Sequence, residues 1–168
     1  MNPAKKFAAG NLKPDDFSIT DLSDEIRVDQ LSQTLLKRFH QHLLDIDKLN
    51  PLEAGSMAGG IDYFLRDYVI DSLRANIFSI TASQVRGFAG NWYIHRNLEP
   101  NMKELGAILK GVAAFYRYCS LNGWLDSGIT EEIVAVCADL DFYRGRIDSF
   151  HALQGDDYPN WCEQCPVG

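Results

Sequence analysis

The 168-residue chain has no apolar run approaching the roughly 20 residues that a membrane-spanning helix needs. It also has no long stretch in which apolar and polar residues alternate, which argues against β-structure. The opening stretch MNPAKKFAAGNLKPDD lacks the apolar segment of a secretory leader, so a cytoplasmic location is expected. Cysteine is sparse: Cys119, Cys137, Cys162 and Cys165 are the four, and free thiols are their expected state in a reducing compartment. An excess of positive charge is missing too. The balance of 16 basic and 23 acidic side chains, net −7, favours solubility and opposes non-specific adhesion to nucleic acid or anionic membranes.

Several signatures of catalysis are absent from the sequence. The glycine-rich run AGSMAGG (Ala54 to Gly60) lacks the Gly-Lys-Ser/Thr of a phosphate loop, and there is no Gly-x-Ser-x-Gly elbow. No Glu-x-x-His pair of the di-iron type occurs. His40 and His42 are two apart on a helix and point to nearly opposite sides, so they cannot grip one ion. A non-enzymatic role is therefore expected, and no cofactor.

What is present is a series of helical patterns. With 46% hydrophobic and 23% charged residues, the chain suits one soluble domain. Residues 1–20, with Pro3, Gly10 and Pro14 among polar neighbours, read as a mobile N-terminal arm. A first helix is expected from about Asp21 to Leu49, its stripe Val28, Leu31, Leu35, Phe39, Leu43 and Ile46 spaced by three and four, with Asn50-Pro51 as its stop. A second is expected from about Met57 to Arg74, its first turn weakened by glycines. Thr81-Ala82-Ser83-Gln84 fits a capping box that opens a third, with Ile80 and Val85 placed as a hydrophobic staple. A long fourth helix follows Pro100, carries Leu105, Leu109, Val112, Tyr116 and Cys119 on one face, and ends at Asn122-Gly123. A fifth, capped by Thr130, runs to about Gly155. The expected architecture is an all-α, single-domain bundle of about five helices over residues 21–155, with a C-terminal tail at 156–168.

Of the aromatics of AFYRYCSLNGWL (Ala114 to Leu125), Tyr116 and, at the edge of the face, Phe115 read as core, Tyr118 is expected outside that face, toward solvent or a neighbour, and Trp124 folds back beyond the cap. The other side of that helix is more informative. Lys103, Lys110 and Arg117 recur every seven residues and form a cationic stripe, flanked by Gly106, Ala107, Ala113 and Ala114. Residues 76–125 carry a local charge of +3, leaving −10 for the remainder. Such a stripe suits an anionic partner surface, and equally an ordinary solvated face or a groove that receives one of the chain's own acidic helices.

The order Ile80-Thr81, Val85, Phe88, then a long helix ending in Phe115-Tyr116-Arg117-Tyr118 and Gly123-Trp124-Leu125, resembles the core-binding, SAM-like domain of tyrosine recombinases and phage integrases. The likeness covers about residues 61–125. It implies a DNA-binding helical bundle in which Arg86, Lys103, Lys110 and Arg117 are the residues that would meet DNA. The family's arginine–histidine–arginine–tyrosine catalytic domain has no counterpart, because the 43 residues after Leu125 are too few to hold it.

Two further features bear on chemistry. Cys162-x-x-Cys165 supplies two of the four ligands of a structural zinc, with His151 the nearest third in sequence and Cys137 another candidate, or else a thiol pair, or an inert exposed tail. Arg144 falls in the apolar stripe of the fifth expected helix and would need a carboxylate such as Asp62, Asp67 or Asp71. The sequence thus points to a macromolecule-binding module with a protein partner expected and no membrane. DNA binding is the alternative, and a zinc- or thiol-dependent regulator is the second alternative.

Overall fold

The computed structural model describes residues 12–167. A side-chain cap starts most of the longer helices. The Asp21 carboxylate accepts from the Asp24 amide to open α1 (Leu22–Asp45). Asn50 accepts from the Glu53 amide, with Pro51 in the first turn, to open α2 (Pro51–Tyr63). Asn50-Pro51 is therefore a start and not the expected stop: α1 ends at Asp45, ahead of a link in which Lys48 takes positive φ, and the second helix begins six residues earlier than its glycines suggested. It continues without interruption as a π-helical segment, Phe64–Ser72. The expected capping box is formed at α3 (Ala82–Gly87): the Gln84 amide donates to Thr81 Oγ1 at 3.2 Å and the Thr81 amide to Gln84 Oε1 at 3.0 Å. A second π-helical segment, Phe88–Trp92, joins α3 to α4 (Tyr93–Arg96). Asn101 caps α5 (Met102–Leu121), which ends at Gly123 with the paired carbonyl contacts of a Schellman motif.

The fifth expected helix is two helices. Asp126, not Thr130, caps α6 (Ser127–Cys137), and the Thr130 hydroxyl donates to the Asp126 carbonyl from inside the first turn. The chain then leaves helical geometry at Asp139 before α7 (Leu140–His151). The break resets which side chains face inward. Arg144 lies outside, paired with Asp141 of its own helix at 2.8 Å, and the buried arginine is Arg146. A short α8 (Tyr158–Glu163) occupies the stretch expected as a tail.

Among the described residues there is no strand, and the helices enclose one continuous apolar core. The two π-helical segments meet in it: Phe64 and Phe88 pack edge to face at 4.9 Å, Tyr68 and Trp92 lie 5.3 Å apart, and the Trp92 indole donates to Ser72 Oγ. The aromatics of α5 belong to the same core. Tyr116 is fully buried with its hydroxyl donating to the Ile77 carbonyl, and Tyr118, expected outside the apolar face, is buried as well because Phe39 of α1 and Trp124 cover that side of the helix.

The arm expected over residues 1–20 divides. Residues 1–11 lie outside the described residues. From Leu12 onward the segment is fixed to the body: Phe17 is buried edge-to-face on Phe78, Asn76 donates to the Pro14 carbonyl, and Arg27 donates to the Asp16 carbonyl. A buried aromatic and two captured backbone carbonyls give it more to hold than its proline and polar content implied.

The orientation of α5 is set by its contact with α2. A Cβ on Gly111 would stand 2.4 Å from the Met57 carbonyl oxygen, and one on Gly60 would stand 2.8 Å from the Ile108 Cα. Both obstacles are backbone and cannot rotate away. Gly106, on the same helix, has open space where its Cβ would be. Gly111→Ala is expected to destabilise the fold by about 1–3 kcal/mol through overpacking. Gly106→Ala should stabilise it by about 0.5–1 kcal/mol through helix propensity. Urea denaturation of the two variants checks the opposite signs.

Candidate macromolecule-binding surface

With Gly111 and Ile108 turned to α2 and Leu105, Leu109, Val112 and Tyr116 buried, the solvent-facing arc of α5 is left to Lys103, Lys110 and Arg117. All three are exposed, and α5 is one unbroken helix, so they run along about 21 Å of one side. Leu121 continues the same arc one turn beyond Arg117 and is 78% exposed. Beside the middle of the stripe, Lys110 Nζ lies 3.4 Å from Glu53 Oε1, an exposed pair of small energetic weight. Leu52, next to Glu53, is 86% exposed. Leu52, Ser56, Gly106, Ala107 and Lys110 line one crevice of about 420 Å³ between α2 and α5. One exposed leucine thus lies beside Lys110, and a second follows Arg117 at the end of the stripe, bordering a hollow formed with α1.

Arg86 does not join them. Its guanidinium pairs with Asp139 at 3.1 Å and lies over the Phe142 ring at 4.6 Å, so it serves the contact of α3 with α7. Of the four cations expected on one surface, the structure brings three together. The flanking small residues also have a second use: Ala113 is buried in the bundle, and Ala107 faces the α2 side, where Gly59 and Gly60 line an adjoining hollow.

The three residues expected as metal ligands are not gathered. Cys165 is buried with its Sγ 3.5 Å from the Arg86 carbonyl oxygen, Cys162 is half-buried, and His151 is exposed beside Phe150. Among the described residues no group of three or more His, Cys, Asp or Glu side chains is placed to hold a metal ion. Nor is the segment a free tail. The Asn91 amide donates to the carbonyls of Cys165 (2.8 Å) and Cys162 (3.4 Å) from within the second π-helical segment. Arg146 does the rest: it donates to the Gly90 carbonyl at 2.8 Å and the Trp161 carbonyl at 2.7 Å, and stacks its guanidinium 3.9 Å over the Trp161 ring. Burial lowers the pKa of Arg146 below the usual guanidinium range, but the carbonyls and the indole face accept what water would have accepted.

Arg146 is the residue that reading the sequence missed. A continuous helix from Thr130 puts Arg144 on the stripe. Counting afresh from Leu140 puts Tyr143, Arg146, Ile147 and Phe150 on one face, so only the break at Asp139 stood between the sequence and the answer.

No family model, curated protein or solved structure matches this chain.

Two outcomes follow from the C-terminal anchor. Arg146→Ala leaves buried carbonyls without a donor and should cost about 3 kcal/mol in urea denaturation, with proteolysis newly admitted after Gly155. The thiols should also separate by accessibility. Burial pushes Cys137 up to about 12 and raises Cys119 and Cys165, while Cys162 is partly open. Iodoacetamide at pH 8 should modify Cys162 first in the native protein, as read by peptide mass spectrometry. In Arg146→Ala, Cys165 should react alongside it.

Proposed function

We propose that this chain is a non-enzymatic helical module that binds another macromolecule through the exposed side of α5, and that the partner is a protein. The observation that carries the reading is the stripe of Lys103, Lys110 and Arg117 with the exposed Leu52 beside Lys110 and the exposed Leu121 after Arg117. Phosphate backbones reward cations but not leucines, whereas a protein interface combines an apolar centre with a charged rim. The net charge of −7 supports the same choice, since it repels nucleic acid at long range and leaves attraction only to a partner that fits locally.

DNA is the second reading. It rests on the likeness to the recombinase core-binding domain over residues 61–125 and on the unbroken cationic rod of α5. In this reading three phosphates are neutralised, and the logarithm of the binding constant falls against the logarithm of salt with a slope of about −2.7.

One pair of variants separates the two. Lys103→Glu/Lys110→Glu/Arg117→Glu removes the cations, and Leu52→Ser/Leu121→Ser removes the apolar component. Binding is compared by affinity capture from native extract and by fluorescence anisotropy on a 30-base-pair duplex. The protein reading expects at least tenfold loss of the captured partner in both variants and no duplex binding at 150 mM salt. Duplex binding that follows the slope above, and is unaffected by the leucine change, would overturn it in favour of DNA.

A further inference from the structure

A different surface, formed by α1 and the first π-helical segment, has the opposite character. These two elements wall a groove of about 430 Å³. Leu22 and Ile26, one turn apart on α1, stand in it 68% and 55% exposed. Four carboxylates share its lining: Glu25 and Asp29 from α1, Asp67 and Asp71 from the π-helical segment. The groove's lining guanidinium, Arg66, is already held by Asp29 at 2.8 Å and Asp62 at 3.4 Å, and Glu25 is paired with Arg74. Among the described residues no ion pair reaches Asp67 or Asp71, which are themselves one turn apart. Two exposed aliphatic side chains therefore stand beside two carboxylates that no cation contacts directly, with Arg66 and Arg96 acting on Asp67 only from a distance.

We infer that this groove receives a basic amphipathic helix of a partner protein, with apolar side chains on Leu22 and Ile26 and lysine or arginine on Asp67 and Asp71. Three arguments select that occupant. Among the described residues no three carboxylates converge on a point that could hold a metal ion, so the complementary charge is one spread along the groove. Both walls are helical and offer no unpaired backbone edge, so an extended peptide would leave its own amides and carbonyls unsatisfied, whereas a helix brings them already paired. The lining along α1, from Leu22 to Gln33, is about 17 Å long, the length of about three helical turns. Anionic lipid and nucleic acid are repelled by the same charges. Burial and the neighbouring Asp62 and Asp71 raise the pKa of Asp67 by more than Arg66 and Arg96 lower it, and an arriving cation would relieve the remainder.

The proposal is independent of the α5 stripe and uses none of its residues. It is tested on the full chain with a fluorescein-labelled 14-residue lysine–leucine peptide of amphipathic helical pattern, and with its glutamate–leucine counterpart as the opposite-charge probe. Anisotropy titrations compare the wild type with Asp67→Asn/Asp71→Asn, Leu22→Gln/Ile26→Gln and, as a charge-matched control, Glu131→Gln/Glu132→Gln on the exposed face of α6. The lysine peptide is expected to bind the wild type and the control within twofold of each other, and each groove variant at least tenfold more weakly. Amide shift changes in an NMR titration are expected at residues 22–33 and 66–71. All the substituted side chains are exposed, and circular dichroism verifies folding. Equal weakening in the control would show general attraction to an acidic protein and overturn the proposal. So would unchanged binding in the leucine–isoleucine variant, equal binding of the glutamate peptide, or shift changes centred on α5.

Discussion

The backbone of α5 touches the backbone of α2, and the arrangement of the molecule follows from how close that contact is. At Gly111 and Gly60 there is no room even for a methyl group, so the two helices can neither roll nor slide against each other. Fixing one side of a helix fixes every other side. With the α2 side committed, the apolar residues of α5 fall onto α6 and the aromatic cluster, and Lys103, Lys110 and Arg117 are left facing water. The charged surface is thus a consequence of two missing side chains on other sides of the helices. Of the glycines of AGSMAGG, which weaken an isolated helix, Gly60 permits the close approach to α5 that offsets about 1 kcal/mol of lost propensity, while Gly55 and Gly59 have open space where a side chain would be.

A second contact closes the far end of the chain. Arg146 joins three segments that are distant in sequence: α7, which carries it, the π-helical turn at Gly90, and α8 at Trp161. Its partners are carbonyl oxygens and an indole face, so the charge stays on the arginine and no carboxylate has to be buried with it. That chemistry differs from a buried ion pair, whose value depends on two desolvated charges. The Cys-x-x-Cys segment lies within the volume this contact creates, which is why a spacing that suits a zinc knuckle in an exposed loop here supplies one packed thiol and one half-open one.

Periodicity and capping made much of the fold legible. The stripe of α1 from Val28 to Leu43, the Thr81 capping box, the unbroken rod after Pro100 and its end at Gly123 all follow from residues that act within one or two turns of themselves, whereas Ile46, expected on the same stripe, lies past the helix end and is exposed. What was not legible depends on contacts between segments. Asp126 and Thr130 are both good caps, and only the surrounding packing decides that the hydroxyl of the second should serve the carbonyl of the first. The break at Asp139 has no glycine or proline to announce it, and every inward-facing position after it moved accordingly. Phe17 could not be placed without knowing that Phe78 lies beneath it. For the candidate surface, seven-residue spacing was enough to align three cations. Arg86 left the set because Asp139 and Phe142, more than fifty residues away in sequence, are its neighbours.

The same distinction bears on how charge is distributed. An excess of seven negative charges could be spread evenly, which would maximise solubility and minimise self-repulsion. Here it is not: residues 76–125 are net positive, while the groove between α1 and the π-helical segment carries four carboxylates, of which Glu25 and Asp29 are paired with arginines and Asp67 and Asp71, among the described residues, are in no ion pair. Each of these regions also exposes leucine or isoleucine, Leu52 and Leu121 beside the cations, Leu22 and Ile26 beside the anions. Single exposed aliphatics are ordinary on a protein surface. Pairs of them set among charges of one sign are what an interface with a partner of the other sign requires, because the apolar contact supplies affinity and the charge rejects wrong partners. In the proposed reading the bundle is a rigid spacer that holds two such surfaces of opposite sign at fixed orientation. The glycine contact between α2 and α5 is then as much a part of recognition as the side chains that touch a partner.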